Sequence, residues 1–507
     1  MARVISVFLP TWPTDRLRRV AGDAAPSAET PLVVAGREKN KRIVTAVDAA
    51  AQAAGLRAGM PLTKAQVLVP GLLIEDGDAQ ADAESLERLA LWVLQRVSPV
   101  VALDLPDGIV IDSTGADHLH GGEAAMIDTL LGRLTMSAVT ARAAIADTWG
   151  AAHALARYAA VPSIIAPPGH GANIIEPLPL EALRLPASVT MGLRTLGFST
   201  IGDVIAQPRA PLTLRFGPEL GRRINQALGE IAEPIEPLRP DELVEVRRPF
   251  AEPIGAAETI ARYIGKLVPV LCAELERRGL GARRLDLLCH RVDNRIEAVR
   301  VGMATPVRDV KRLTRLLCDK IETIAPGFGI ELMSLTATIA EPLSARQSAH
   351  GLLEETESDI SGLVDVLANR IGERAIYRFA PVASDVPERS VCRVPALAPD
   401  TGTGWPDHWP RPTRLLPCPE PIETMALLPD HPPVWIAWRG IRRRVRRADG
   451  PERVSGEWWK ADAELVAVRD YFRIEDDSGE RYWVYRAGDG ENAETGSHKW
   501  FLHGVFG

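Results

Sequence analysis

Apolar and polar positions over the first 165 residues switch repeatedly between a period of two and a period near 3.6. Val4–Leu9 is a continuous apolar run closed by Pro10, which predicts a buried strand. Thr14 and Asp15 stand as N-caps for a helix carrying Leu17 and Val20. Pro31–Ala35 and Arg42–Val47 predict two strands around a charged turn, and Asp48–Ala54 an Ala-rich helix. Pro61 starts a further helix that Pro70 stops. Glu84–Val97 carries Leu86, Leu89, Val93 and Val97 on one helical face. Gly108–Asp112 is a strand entered through the turn Leu105–Gly108, and Ala124–Leu134 and Trp149–Tyr158 are helices. Interleaved strands and helices predict an α/β domain over 1–165.

The pattern changes at Pro167–Gly169 and again through the Pro-rich stretch to Pro186. Over 166–235 it is helical. Leu185–Pro208 predicts two short helices about a turn at Leu196–Phe198, with Ser199 or Thr200 capping the second. A helix-hairpin-helix of this kind presents backbone N–H groups to a DNA phosphate, so Gly197, Ser199 and Gly202 are candidate contacts. Leu214–Leu228 is a second such unit, with Arg215, Arg222 and Arg223 available. A plain αα-hairpin is the alternative. Residues 240–342 follow as β-α-β-β-α-β. Their Arg277, Arg278, Arg283, Arg284, Arg291, Arg295 and Arg300 line either a phosphate track or a solvated surface. Residues 343–430 read as a Pro-rich tether with one helix at Asp359–Gly372 capped by Ser358. Residues 431–507 read as two hairpins around a core of Trp435, Trp438, Trp458, Trp459, Trp483 and Trp500. Arg442–Arg444, Arg446 and Arg447 there suit single-stranded nucleic acid or, equally, a charged edge strand.

Charge and composition narrow the function. A formal net charge of −7 over 507 residues argues against coating DNA by bulk electrostatics, so any contact with nucleic acid must be local. The five cysteines form no CxxC, which excludes a zinc ribbon and fits reduced thiols in a cytoplasm. No apolar run is long enough for a membrane. Asp104, Asp107 and Asp112 lie within nine residues beside the 108–112 strand. Such a cluster either holds Mg²⁺ for phosphoryl transfer or merely solvates a turn.

The order of domains resembles that of a Y-family translesion DNA polymerase, with palm and fingers (1–165), helix-hairpin-helix thumb (166–235) and β-α-β-β-α-β little finger (240–342). Ala58–Leu62 is similar to the family's fingers motif, Val97–Pro99 with Leu105–Gly115 to its palm motif, and Leu196–Val204 to its thumb motif. The fold class expected is therefore multidomain α/β, with a C-terminal tail ending in a small β domain. The resemblance implies one metal-binding Asp in the first strand and an Asp-Glu pair in the palm motif. Phe8 stands at the first position; Asp107 keeps the second and Gly108 replaces the third. The triphosphate-binding Tyr and Arg of the fingers fall at Ala49 and Gln52. One carboxylate of three cannot neutralise two Mg²⁺ ions, so the resemblance implies no catalytic residues and no metal unless Asp107 holds one.

Arg411–Glu423, Gly456–Trp459, Arg469–Arg473, Arg481–Trp483 and Lys499–Gly504 resemble the tail of the ImuB-like proteins, the polymerase-like subunits of bacterial mutagenesis cassettes. That resemblance implies a hub binding DNA, the β sliding clamp, a RecA-like accessory protein and an error-prone C-family polymerase. The nearest clamp-peptide candidate is Gln347–Leu353, with Gln347, Leu352 and Leu353 as contacts. Two other functions stay open at this point. One is an active lesion-bypass polymerase with a displaced Mg²⁺ site on Asp104, Asp107 and Asp112. The other is a DNA-structure-binding module without a clamp partner.

Overall fold

The computed structural model describes residues 3–39, 41–114, 121–240, 243–343, 360–400, 404, 411–427, 430–457, 459 and 467–507. The chain divides into two units, Met1–Arg370 and Ile371–Gly507.

In the first unit, β1 (Val4–Phe8) is the central strand of a five-stranded sheet. Its apolar run is buried on both faces, as expected of an inner strand. Helix α1 (Trp12–Ala21) starts earlier than the sequence predicts. Pro13 opens its first turn, while Thr14 and Asp15 lie buried inside it and do not cap it. A side layer holds β2 (Leu32–Glu38), β3 (Lys41–Val47), α2 (Ala49–Ala53), α3 (Leu62–Leu68) and β4 (Leu73–Asp76). Helix α4 (Ala79–Arg96) is longer than its apolar stripe, because the Asp78 carboxylate, six residues before Glu84, accepts from the Ala81 N–H and caps it. It covers one face of the sheet with α5 (Glu123–Met136). The sheet is completed by β5 (Val101–Asp104), β6 (Gly108–Asp112), β7 (Arg142–Ala146) and β8 (Ser163–Ile165) in the order β5-β6-β1-β7-β8. Helix α6 (Trp149–Tyr158), capped by Thr148, packs on the other face.

Short helices follow: α7 (Gly171–Ile175), α8 (Ala187–Thr195), α9 (Ile201–Ile205), α10 (Arg209–Phe216) and α11 (Pro218–Leu228). They share one apolar cluster with α6. The β-α-β-β-α-β segment is β9 (Val244–Ile254), α12 (Ala257–Arg277), β10 (Leu280–Arg291), β11 (Ile296–Val307), α13 (Val310–Cys318) and β12 (Ile330–Pro342), with sheet order β11-β10-β12-β9. Its two helices bury one face. Helix α14 (Ser361–Ile371) seals the β11 edge with side chains. Asn369 exchanges hydrogen bonds with both backbone groups of Gly302, and Asp365 accepts from the Ala304 N–H.

The face of this sheet opposite its helices is turned onto the palm. Arg284 donates to the Gln95 carbonyl, Arg300 to the Leu94 carbonyl, and the Gln95 amide to the Thr338 carbonyl at 3.2 Å. Leu288 joins the apolar cluster of Val100 and Ala102.

The second unit corrects the tether predicted for 343–430. A hairpin, β13 (Tyr377–Pro381) with β14 (Val391–Pro395), precedes β15 (Arg414–Met425). Strand β15 closes a six-stranded barrel with β16 (Trp435–Trp438), β17 (Ile441–Ser455), β18 (Val468–Asp476), β19 (Arg481–Ala487) and β20 (Trp500–Val505). Trp483 and Trp500 lie in its core, Trp435 and Trp438 are half-buried, and Trp459 is exposed. Trp458 lies outside the described residues. Among the described residues, no helix is long and apolar enough to cross a membrane.

Candidate functional site

The register of the palm sheet brings the three predicted positions together. Phe8 pairs with Gly108, and the Leu9 N–H donates to the Asp107 carbonyl at 2.8 Å. On α6, His153 and Arg157 are one turn apart and so share a face. The Arg157 guanidinium lies between the ring and the acid. Its central carbon is 4.5 Å from the Phe8 centroid, its Nη2 is 2.5 Å from Asp107 Oδ1, and Nη2 is also 3.6 Å from Asp104 Oδ2. His153 Nδ1 is 2.8 Å from Asp104 Oδ2.

Burial acts most strongly on His153, Asp104 and Asp107. It drives His153 down, with help from the Arg157 charge, and leaves a neutral imidazole. Burial also works upward on Asp104, but the His153 hydrogen bond and the nearby cations outweigh it and hold Asp104 below the ordinary range. An ionised Asp104 beside a neutral His153 places the imidazole proton on Nδ1. Burial raises Asp107 and the Asp104 charge adds to the rise, against the pull of Arg157. The 2.5 Å contact to Arg157 identifies that guanidinium as the cation Asp107 faces.

The two Mg²⁺ ions implied by the polymerase resemblance do not fit this donor set. Mg²⁺ takes a near-octahedral shell of oxygens. Here a phenyl ring, a glycine and a guanidinium surround the one retained carboxylate. Asp112 cannot contribute. It pairs with Val4 at the far end of β6, four residues or roughly 13 Å from Gly108. The grouping of Asp104, Asp107 and Asp112 about one ion is therefore corrected. Among the described residues no cluster of three or more His, Cys, Asp or Glu is arranged to hold a metal.

Gly108 sits where a side chain would be crowded and its neighbours would have to give way by a few tenths of an ångström. A Cβ there would lie 3.1 Å from the Asp104 carbonyl, the Asp104 carboxylate and the Val7 carbonyl. Gly108→Ala is expected to cost about 1–3 kcal/mol, because backbone is among the atoms that would have to move. Urea unfolding of the variant checks this; an unchanged midpoint would contradict it.

In the structure the N–H groups of the thumb hairpin are hydrogen-bonded within the protein. The Gly197 N–H goes to the Arg194 carbonyl, Phe198 to Leu193, Ile201 to Leu178 and Gly202 to Glu176. The Ser199 and Thr200 N–H groups both go to Asp203 Oδ2, at 2.9 and 2.8 Å. Those bonds hold the Asp203 carboxyl down to about 2, so a fixed negative charge occupies the place offered to a phosphate. Arg222 and Arg223 are paired with Glu219, and Arg223 also with Glu233; Arg215 is exposed beside Phe216.

The arginines of the little finger are likewise engaged within the protein. Arg277 and Arg278 pair with Glu274, Arg291 with Asp293 and Glu297, and Arg300 with Asp286. Arg283 donates to the Ala304 carbonyl and lies 3.5 Å from Glu341, Arg295 lies 3.9 Å from Asp293, and Arg284 holds the palm. Ala49 and Gln52 are exposed. Gln347, Leu352 and Leu353 lie outside the described residues. Sequence reasoning missed His153 and Arg157. The signal for them was a His and an Arg four apart in a helix otherwise built largely of alanine.

Residues 25–157 match the impB/mucB/samB family, and residues 244–349 match the C-terminal domain of that family. DNA polymerase IV of Dehalococcoides mccartyi strain CBDB1 is 27% identical over 265 residues, 51% of this chain and 67% of that one. An insertion ternary complex of Dbh DNA polymerase superposes with a TM-score of 0.40 at 14% identity, over 66% of this chain and 98% of that one. The chain is thus a homologue of the Y-family DNA polymerases. Protein ImuB of Caulobacter vibrioides strain NA1000 is 44% identical over 464 residues, 89% of this chain and 100% of that one, and the chain belongs to the ImuB family.

Proposed function

We propose that this chain is a non-catalytic, polymerase-shaped scaffold in damage-induced mutagenesis. It binds DNA weakly in the cytoplasm and brings an error-prone C-family polymerase, a RecA-like accessory protein and the β sliding clamp to it. The observation that carries the reading is Arg157, whose tethered cation lies against Asp107 and the Phe8 ring at the retained metal-ligand position. A single fixed charge neutralises a carboxylate but cannot activate a primer hydroxyl or follow a leaving pyrophosphate. Loss of one such electrostatic group commonly costs on the order of 3 kcal/mol of transition-state stabilisation, and here two of three are gone.

Primer extension by the purified chain with Mg²⁺ or Mn²⁺ is expected to give no template-directed product. Incorporation that disappears in Asp107→Ala would reject the proposal and favour an active polymerase. Retention of the chain on immobilised β clamp separates the scaffold from a DNA-structure-binding module that acts without the clamp.

A further inference from the structure

The barrel of the second unit carries a row of exposed cations. On β17, Arg442, Arg444, Arg446 and Arg447 are exposed. Among the described residues no carboxylate lies within ion-pair distance of any of them, whereas neighbouring Arg439 pairs with Glu420 and Arg443 lies 3.5 Å from Asp476. Glu475 stands opposite Arg447 in the β17–β18 register without forming an ion pair with it. Edge protection does not explain the row. β17 is an inner member of a closed barrel, paired with β16 through Ile441–Arg444 and with β18 from Val445 onward.

Aromatic surface lies beside these cations. Strand alternation places Arg442 and Arg444 on the outer face, with Trp435 directly opposite Arg444. The Arg442 guanidinium carbon sits 4.0 Å from the Trp435 ring centroid. Trp435 is only half-buried, and exposed Met425 is its partner on β15. Alternate residues of a strand are roughly 6.6 Å apart, a step close to that between phosphates of an extended single strand.

We propose that the outer face of β16–β17 binds single-stranded nucleic acid, with Arg442, Arg444, Arg446 and Arg447 following the phosphates and the Trp435–Arg442 pair receiving a base. A single row of cations follows one phosphate chain. A stacking platform requires a base that is free of its own duplex. The site would give a chain of net charge −7 the local contact that its bulk charge denies it. It stands whether or not the palm is catalytic.

The test is fluorescence anisotropy of a labelled oligothymidine titrated with the full chain at several salt concentrations. Arg442→Gln/Arg444→Gln/Arg446→Gln/Arg447→Gln should weaken binding at least tenfold near 0.1 M salt. It should also flatten the log–log salt slope by about 0.7 for each phosphate that is no longer neutralised. Arg222→Gln/Arg223→Gln, which touches arginines already paired, should change affinity less than twofold. Should the quadruple variant fail to fold, Arg444→Gln/Arg447→Gln carries the same comparison, with a smaller drop in affinity and slope. Unchanged affinity and slope in the folded variants would overturn the proposal. So would a duplex of the same length that binds as tightly, or polyglutamate that displaces the oligonucleotide at equal charge concentration, since the latter would mark a site for acidic protein.

Discussion

Arg300→Met is expected to lower the free energy of unfolding of the first unit by about 3–5 kcal/mol. Its guanidinium meets both oxygens of Asp286 at 2.7 Å, and that carboxylate is 2% exposed. Methionine keeps most of the bulk but leaves the acid buried without a cation. The same substitution removes the hydrogen bond to the Leu94 carbonyl that ties the little finger to the palm. Urea denaturation gives the size of the loss. The double variant Arg300→Met/Asp286→Leu should recover most of it, because replacing both members of a buried pair with apolar groups is often close to neutral. A single-variant loss below about 1 kcal/mol would contradict the burial that the structure assigns to Asp286.

Arg157→Met should cost about 2–3 kcal/mol at neutral pH, less than a fully buried pair because the Asp107 side chain is 33% exposed. The pH dependence identifies the cause. Burial already raises Asp107, and without the guanidinium it rises further. A carboxyl raised in the folded state binds its proton more tightly there than in the unfolded chain. The deficit is therefore full above the raised value and shrinks as pH falls through it toward the ordinary carboxylate range. Asp104 works in the same direction. In the parent its lowered value contributes stability above the ordinary range, which is lost as pH falls through that lowered value, and the variant has less of it to lose. Unfolding curves recorded from pH 7 downward should draw together as pH approaches the ordinary carboxylate range, the Asp104 share closing only below it. A deficit independent of pH would show that packing on Phe8, rather than charge, is what Arg157 supplies.

Much of the first unit was legible from its periodicities. The apolar run at Val4–Leu9 and the β-α-β-β-α-β order appear in the structure as predicted, and register places Phe8 against Gly108. What escaped the sequence depends on partners far along the chain. Arginines in the little finger read as a candidate track because Asp286, Glu297 and the carbonyls of Leu94 and Gln95 could not be seen to meet them. The thumb turn read as open because nothing in a linear string shows that Ser199 and Thr200 both donate to Asp203. Strand β15 was hidden by its prolines, of which Pro417 and Pro419 fall within a register shift between Leu415 and Glu420. His153 and Arg157 passed as ordinary positions of an amphipathic helix, since their acids lie 49 and 50 residues earlier, at the β5–β6 turn.

The grip of Arg284 and Arg300 on main-chain oxygens has an evolutionary corollary. A carbonyl is the same whatever side chain stands beside it, so substitutions at positions 94 and 95 leave those two anchors intact. A substitution at 95 gives up only the amide bond to the Thr338 carbonyl, and position 94 is constrained by the palm core rather than by the junction. Correlated mutation would leave this seam largely unmarked, and cross-linking or hydrogen exchange would be needed to find it.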